Sequence, residues 1–174
     1  MKIKHNKVSY IERIQDILDQ AVAETPDRAA YIYRKGKEKV QVTFQEFYDE
    51  IRTLGSALAE LGMDQGHIAI SGDNSYNWIL TYLTGLMSRG VFVPIDKQMP
   101  ETDFINVLNH SESQVIFYAK KFEDFLQQHK EEIPGVKYFI GFDREEDEGN
   151  FLSFEKLLAR GRELYRSGYT VYTV

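Results

Sequence analysis

The sequence has no cysteine, no long apolar run and no excess of positive charge. Without cysteine there is no disulfide framework, no thiolate nucleophile and no sulfur-ligated metal, so the fold must be held by packing. No stretch reaches the roughly 18 apolar residues of a membrane-spanning helix, and the polar start lacks the apolar core of a secretory signal. These absences favour a cytoplasmic protein without a transmembrane segment.

The net charge and the length of the chain further limit the classes of protein to which it can belong. The 27 acidic residues outnumber the 21 basic ones, giving a formal charge of -6 that provides no electrostatic footprint for nucleic acid. A chain of 174 residues that is 43% hydrophobic has enough apolar material for one core. We therefore expect residues 1–174 to form a single unit that does not bind nucleic acid.

The motifs that usually carry nucleotide chemistry are also missing. An α/β nucleotide-binding domain places a glycine-rich turn after its first strand, where backbone N–H groups can approach a phosphate. The turn at Gly72-Asp73-Asn74-Ser75 has one glycine and an acidic neighbour that would repel phosphate. We interpret this segment as a turn followed by a helix cap at Asn74 or Ser75.

No constellation of catalytic or metal-ligating residues stands out. The histidines are far apart in sequence and lack metal-ligand spacing: His5, His67, His110 and His129. Three acidic residues lie near predicted strand ends, where α/β proteins often place their sites: Asp73, Asp96 and Asp103. None has an evident partner base, so we interpret all of these side chains as structural. The expected set of catalytic, cofactor-binding and metal-binding residues in this chain is therefore none.

Apolar periodicity predicts alternating helices and strands. The first helix is predicted over 11–22, followed by an antiparallel hairpin of strands 30–34 and 40–43 with a charged tip at 35–39. Thr43 and Glu46 have the spacing of a capping box, which predicts a helix that ends near Gly62. Further strands are predicted at 67–71, 91–93, 115–118 and 136–141, with helices at about 75–90, after Pro100, at 122–129 and at 154–165.

Strands that alternate with helices predict an α/β fold, in three α/β/α layers with a mostly parallel sheet. Ser153 is the expected cap of the last helix, and the acidic run 143–150 is expected to be a solvated connector before it. Aromatic residues make up 13% of the chain, and most of them fall on the predicted apolar faces, so we assign them to core packing.

Two segments resemble the first two core motifs of the adenylate-forming superfamily of acyl-CoA ligases, peptide-synthetase adenylation domains and luciferases. Val42-Thr43-Phe44-Gln45-Glu46-Phe47 resembles its hydrophobic-Thr-Tyr-x-Glu-Leu box, with phenylalanines as conservative departures. Leu86-Met87-Ser88-Arg89-Gly90-Val91-Phe92-Val93-Pro94-Ile95-Asp96 resembles its Leu-x-x-Gly-x-x-x-Val-Pro-Ile/Leu-Asp element. The similarity covers about Ile14 to Tyr118 well and the remainder loosely.

This resemblance implies the N-terminal subdomain of an acyl-CoA synthetase-like fold, ending before the phosphate loop. The parent enzyme would be an AMP-forming fatty acid–CoA ligase that uses ATP, magnesium and coenzyme A and acts through an acyl-adenylate. The chain itself would hold no cofactor and would be structural and inactive. Its partners would be the remainder of the ligase and, since excision exposes apolar surface, a second copy of itself.

Two alternatives remain open at this point. Peptide-synthetase adenylation domains usually continue after the second motif with a proline-rich turn and an arginine, whereas here the segment 97–104 reads Lys-Gln-Met-Pro-Glu-Thr-Asp-Phe. That departure favours a ligase of the long-chain fatty-acid type over an amino-acid adenylation domain that loads a carrier protein. The alternative from another class is a non-catalytic α/β binding module.

Overall fold

The computed structural model describes residues 10–169. The helices are α1 (Ile14–Glu24), α2 (Phe44–Glu60), α3 (Tyr76–Leu86), α4 (Glu101–His110), α5 (Glu123–His129) and α6 (Phe154–Arg166). The strands are β1 (Ala29–Lys35), β2 (Glu38–Thr43), β3 (His67–Ser71), β4 (Val91–Pro94), β5 (Val115–Tyr118), β6 (Tyr138–Gly141) and β7 (Phe151–Ser153). Over this part of the chain no helix has the length and apolar character needed to cross a membrane.

Five strands form one parallel sheet in the order β4-β3-β5-β6-β7. Their carboxyl ends lie side by side, since Ser71 is opposite Tyr118 and Tyr118 is opposite Gly141. The predicted α/β class with a mostly parallel sheet is confirmed.

The sheet separates two buried clusters, as the alternation of side chains along each strand requires. Ile68 and Ile70 of β3 face one cluster, and Ala69 between them faces the other. On the α2 face, defined by helices α2, α3 and α6, the cluster includes Phe47, Ile51, Leu54, Leu80, Phe154 and Leu158. On the α4 face, defined by α4 and α5, it includes Phe104, Leu108, Ile116, Leu126, Phe139 and Phe151. The predicted three-layer α/β/α architecture is therefore confirmed.

The hairpin β1–β2 is antiparallel, as predicted, but its charged tip is shorter than expected. Lys35 pairs with Glu38 and Arg34 with Lys39, so both flanks of the predicted tip are strand residues. Gly36 has a φ of 63°, which lets a two-residue turn close the hairpin. The predicted five-residue tip was therefore wrong.

Strand β7 was not predicted from sequence. It has only three residues, too few to show an alternating pattern, and it exists because β6 pairs with it in parallel. The rings of Phe139 and Phe151 stack across this pair with centroids 4.5 Å apart. The strand is thus selected by its neighbour in the sheet, which sequence periodicity does not report.

Helix starts were read correctly where a side chain caps them. The Glu46 N–H donates to Thr43 Oγ1 at 3.2 Å, and the Thr43 N–H donates to Glu46 Oε2 at 2.8 Å, which completes the predicted capping box. Ser75 Oγ accepts from the Trp78 N–H at 3.1 Å, and Ser153 Oγ accepts from the Lys156 N–H at 3.4 Å. Each of these bonds satisfies an N–H group that a helix start leaves open.

Candidate functional site

The sheet has a topological switch point between β3 and β5. The chain leaves β3 towards α3 on the α2 face and leaves β5 towards α5 on the α4 face, so the two connections diverge. Ligands of open α/β sheets bind in the crevice that such a divergence creates. Here the two loops are in contact, because a β-carbon placed on Gly72 would lie 3.0 Å from the β-carbon of Ala119. The two loops therefore leave no room for a side chain at position 72.

Asp73 lies at the edge of this switch point and forms an exposed ion pair with Lys97. The hydrogen bond and the positive charge of Lys97 lower the pKa of the Asp73 carboxyl. Lys121 Nζ donates to the Lys97 carbonyl at 3.2 Å and so lies beside the pair. Asp73 is therefore engaged with a cation, and the turn 72–75 has the cap that was predicted for it.

The other acidic candidates have local environments of their own. Asp96 Oδ1 accepts the Gln98 N–H at 2.8 Å in the turn after β4, and Asp103 lies in the first turn of α4, where the helix dipole favours an acidic residue. Within residues 10–169 no group of three or more histidines and carboxylates could hold a metal ion. The described contacts join none of Asp73, Asp96 and Asp103 to another.

The histidines are dispersed as their sequence spacing suggested. His67 Nδ1 contacts the Ser111 carbonyl at the amino edge of the sheet, away from the switch point. His129 Nδ1 lies 2.6 Å from Glu132 Oε1, and His110 ends α4. His5 lies outside the described residues. That these side chains are structural stays a prediction.

A polar network at the carboxyl ends of β5 and β6 was missed in the sequence. The Tyr118 hydroxyl donates to Glu123 Oε2 at 2.7 Å, while Arg144 forms an ion pair with the other oxygen of the same carboxylate. Burial and the adjacent Glu123 raise the pKa of Tyr118. Gly141 makes room for the network, because a β-carbon there would lie 2.8 Å from that of Arg144. Each nitrogen of the Arg144 guanidinium and each oxygen of the Glu123 carboxylate has a partner within the protein, so the network holds loops together.

The acidic run 143–150 does more than connect two elements. Asp143 Oδ2 accepts the Lys120 N–H at 3.1 Å, and Asp147 Oδ1 accepts the Ser153 N–H at 2.7 Å. The Glu146 and Glu148 side chains remain more than 80% exposed. The run agrees with the interpretation as a solvated connector, because both glutamates and both aspartates are exposed; the aspartates in addition bond backbone N–H groups of other segments.

An apolar cleft opens between β1 and the start of α3, with a volume of about 530 Å³. We name it the aromatic cleft; its lining residues are Tyr31, Tyr33, Asn74, Ser75, Tyr76, Trp78 and Ile79. The Tyr33 and Tyr76 rings stack with centroids 4.9 Å apart, and the Trp78 ring stacks on Tyr82 at 5.1 Å. Assigning the aromatic residues to core packing overlooked this cleft, because their faces meet only when the hairpin folds against α3.

Carboxylates lie behind the aromatic cleft. The Tyr76 hydroxyl donates to Glu50 Oε2 at 2.6 Å, and Arg162 approaches the other oxygen at 3.3 Å. Burial, followed by the hydrogen bond to Glu50, raises the pKa of Tyr76. Burial also raises the pKa of Tyr33, and the charges of Glu50 and Glu155 add to that shift. Glu50 thus lies directly against the Tyr76 side of the cleft, with Arg162 as its partner.

One buried polar atom has no partner within residues 10–169, namely Ser71 Oγ at the carboxyl end of β3. The side chain is fully buried and lies on the α4 face, since it alternates with Ile70. Burying a hydroxyl without a hydrogen-bond partner is unfavourable.

The chain as a whole is similar to known proteins. The model of the family described as AMP-binding enzyme matches residues 18–160. Long chain acyl-CoA synthetase 2 of Arabidopsis thaliana is 30% identical over 82 residues, or 46% of this chain, and bacitracin synthase 1 of Bacillus licheniformis is 24% identical over 112 residues, or 64%. A solved structure from Rhodopseudomonas palustris, described as a long-chain-fatty-acid CoA ligase, superposes on 84% of the chain with a TM-score of 0.73 and 20% identity.

The matches occupy only part of each relative. They cover 12% of the Arabidopsis protein, 2% of the bacitracin synthase and 36% of the Rhodopseudomonas structure. At 20% identity the structural likeness establishes the fold and nothing beyond it. The family match, by contrast, spans most of the chain.

Proposed function

Because the chain belongs to the AMP-binding enzyme family, we propose that it is the N-terminal portion of an AMP-forming carboxylic acid–CoA ligase. The observation that carries this proposal is the family match over residues 18–160, which contains both core segments, the first at the start of α2 and the second around β4. Long-chain fatty acids are the proposed substrates, supported by the similarity to the Arabidopsis synthetase.

The proposed reaction belongs to the longer enzyme. An oxygen of the substrate carboxylate attacks the α-phosphorus of ATP, the α–β phosphoanhydride bond breaks, and pyrophosphate leaves. The sulfur of coenzyme A then attacks the acyl carbon of the adenylate, and AMP departs with the former carboxylate oxygen. Family membership supports the use of ATP, whereas magnesium and coenzyme A are part of the proposal.

Residues of this chain would act as the scaffold. The first segment begins α2 through its capping box, and the second runs from the end of α3 through β4. Its Gly90 permits a close backbone approach, since a β-carbon there would lie 2.0 Å from the Gly66 carbonyl oxygen. We propose that residues 1–174 are one subdomain that ends before the phosphate loop and lacks catalytic, cofactor and metal ligands of its own.

The test is ATP–pyrophosphate exchange by the product of the intact gene, across fatty, aromatic and amino acids. Exchange with long-chain fatty acids, followed by acyl-CoA formation, would support the proposal. The 174-residue chain assayed alongside should show no carboxylate-dependent exchange. Exchange by the short chain would overturn its assignment as scaffold, and no exchange by the intact product would overturn the ligase.

The similarity to bacitracin synthase 1 supports a second candidate, an adenylation domain that loads an amino acid onto a carrier protein. Amino-acid-dependent exchange without acyl-CoA formation would select it. The non-catalytic binding module finds less support, because the family is one of AMP-binding enzymes.

The remaining partners are also proposals. We place the enzyme in the cytoplasm and expect the rest of the ligase to cover apolar side chains that are exposed here, such as Ile17 of α1, which is 49% exposed. In the isolated chain the same surface supports self-association. Sedimentation over a wide concentration range would test this, and a purely monomeric species at high concentration would contradict it.

A further inference from the structure

The aromatic cleft has the composition of a small-molecule site. Four aromatic rings and Ile79 line it, and binding sites are commonly concave and apolar with a few polar groups. The hydroxyls of Tyr31 and Tyr33 form no hydrogen bond with any other residue in the range 10–169. An apolar cavity whose lining includes two tyrosines without a described hydrogen-bond partner can therefore hold a ligand that has both an apolar body and a polar group.

The charges around the cleft discriminate between ligands. Glu50 contacts the Tyr76 hydroxyl directly, and Glu46 and Glu155 act on Tyr76 and Tyr33 through their charge. Arg162 offsets Glu50 in part. Lys35 lies near Glu155 in a neighbouring depression. The carboxylates nearest to Tyr76 and the negative faces of the rings both repel anions and attract cations.

We propose that the aromatic cleft binds a compact organic cation, of the quaternary or protonated amine class, against the rings of Tyr31, Tyr33, Tyr76 and Trp78. The proposal does not rest on the ligase activity, because every residue that it uses lies within this chain. The cleft adjoins the switch point through Asn74 and Ser75 of the turn 72–75, but its rings lie on β1 and α3, whereas the Asp73–Lys97 ion pair occupies the loop edge.

Trp78 supplies the readout, because it is the only tryptophan of the chain and it lines the cleft. The probe is benzyltrimethylammonium, titrated into the full 174-residue chain while Trp78 emission is followed. Toluenesulfonate provides an anionic aromatic control and benzyl alcohol a neutral one. We expect the cation to change the Trp78 emission in a saturable way and the alcohol to change it less. The sulfonate should cause no change beyond the linear collisional quenching that it also causes in free N-acetyltryptophanamide.

Two variants locate the binding. Tyr33→Leu removes a ring that lines the cleft, and it should weaken binding about three- to thirty-fold, as expected for loss of one cation–π contact. Tyr138→Leu is the matched control, because Tyr138 is a half-buried tyrosine at the start of β6 that does not line the cleft. Glu50→Gln should also weaken binding, whereas Glu60→Gln, about 15 Å further along α2, should not.

Several outcomes would overturn the proposal: a linear response to the cation, equal binding of the sulfonate, or equal weakening by a cleft variant and its control. Emission that changes with protein concentration in the absence of probe, together with loss of probe binding, would show that a second copy occupies the cleft instead. Circular dichroism of each variant separates lost binding from lost folding. Intact-enzyme exchange remains the separate test of the ligase.

Discussion

The two faces of the sheet are covered in different ways. On the α2 face, α6 approaches α2 so closely that a β-carbon on Gly161 would lie 2.2 Å from the Thr53 carbonyl oxygen. On the α4 face, ring volume fills the space, with Phe104 of α4 lying 5.1 Å from Phe122 and 5.5 Å from Phe125 between ring centroids. Substitutions that add side-chain volume should therefore destabilise the α2 face, and substitutions that remove volume should destabilise the α4 face.

The largest effect is expected for Phe104→Ala on the α4 face. Phe104 is only 1% exposed, so its removal leaves a cavity between α4 and α5, and the free energy of unfolding should fall by about 3–5 kcal/mol. Urea unfolding measures this loss. Phe122→Ala, at a half-buried position against the same ring, should cost clearly less; an equal loss would mean that ring volume does not hold this face.

On the α2 face the corresponding change is Gly161→Ala. The added methyl group collides with the backbone of α2, so we expect a loss of about 1–3 kcal/mol in urea unfolding. Gly135→Ala is the matched control, because the nearest atom to its new β-carbon would be 3.6 Å away. That control should change stability by less than about 0.5 kcal/mol. If both substitutions were neutral, the close approach of α2 and α6 would be refuted.

Each face also has a tyrosine that donates to a glutamate, Tyr76 to Glu50 and Tyr118 to Glu123. Both native pKa values are raised, so above about pH 10 an unfolded tyrosine releases its proton while the native one keeps it. The free energy of unfolding should then fall as pH rises, by up to about 1.4 kcal/mol per pH unit for each tyrosine. Either Tyr→Phe variant should make this slope shallower, as urea unfolding between pH 9 and 11 would reveal; unchanged slopes would contradict it.

The two faces also differ, with a smaller expected effect, at the carboxyl ends of their helices α2 and α4. Both α2 and α4 end with the same pair of backbone bonds, but the left-handed position is Gly62 in α2 and Glu112, with a φ of 52°, in α4. A side chain is disfavoured in that conformation. Glu112→Gly should raise the free energy of unfolding by about 1 kcal/mol, whereas Gly62→Ala should lower it by a similar amount. A Glu112→Gly variant that is less stable than the native protein would contradict the inference that Glu112 is strained.

The smallest effect is expected at Ser71, whose buried hydroxyl lacks a partner within the described residues on the α4 face. Ser71→Ala removes a polar atom without creating a cavity, so stability should stay unchanged or rise by less than about 1 kcal/mol. Urea unfolding measures this change. Thr84→Val is measured in parallel as the contrast, because it removes a hydroxyl that donates a hydrogen bond to the Leu80 carbonyl. A marked loss in Ser71→Ala would point to a buried water on that hydroxyl.

Much of the fold was readable from local pattern. The box at Thr43 and Glu46 specifies its helix start through bonds within four residues, and the parallel sheet follows from the alternation of apolar segments. Strand β7 and the two-residue hairpin turn were not readable. Strand β7 forms because it pairs with β6, and the two-residue turn forms because Gly36 adopts a left-handed conformation.

The polar sites divide in the same way. The sequence by itself determined the helix caps, the apolar faces and the resemblance to a family, because each depends on residues close together in the chain. Only the tertiary structure decided that Arg144 meets Glu123, that Asp147 bonds the backbone of β7, and that Tyr33 stacks on Tyr76 beside Trp78. These contacts join segments brought together by the packing of the hairpin and the helices on the sheet, and no local pattern encodes that geometry.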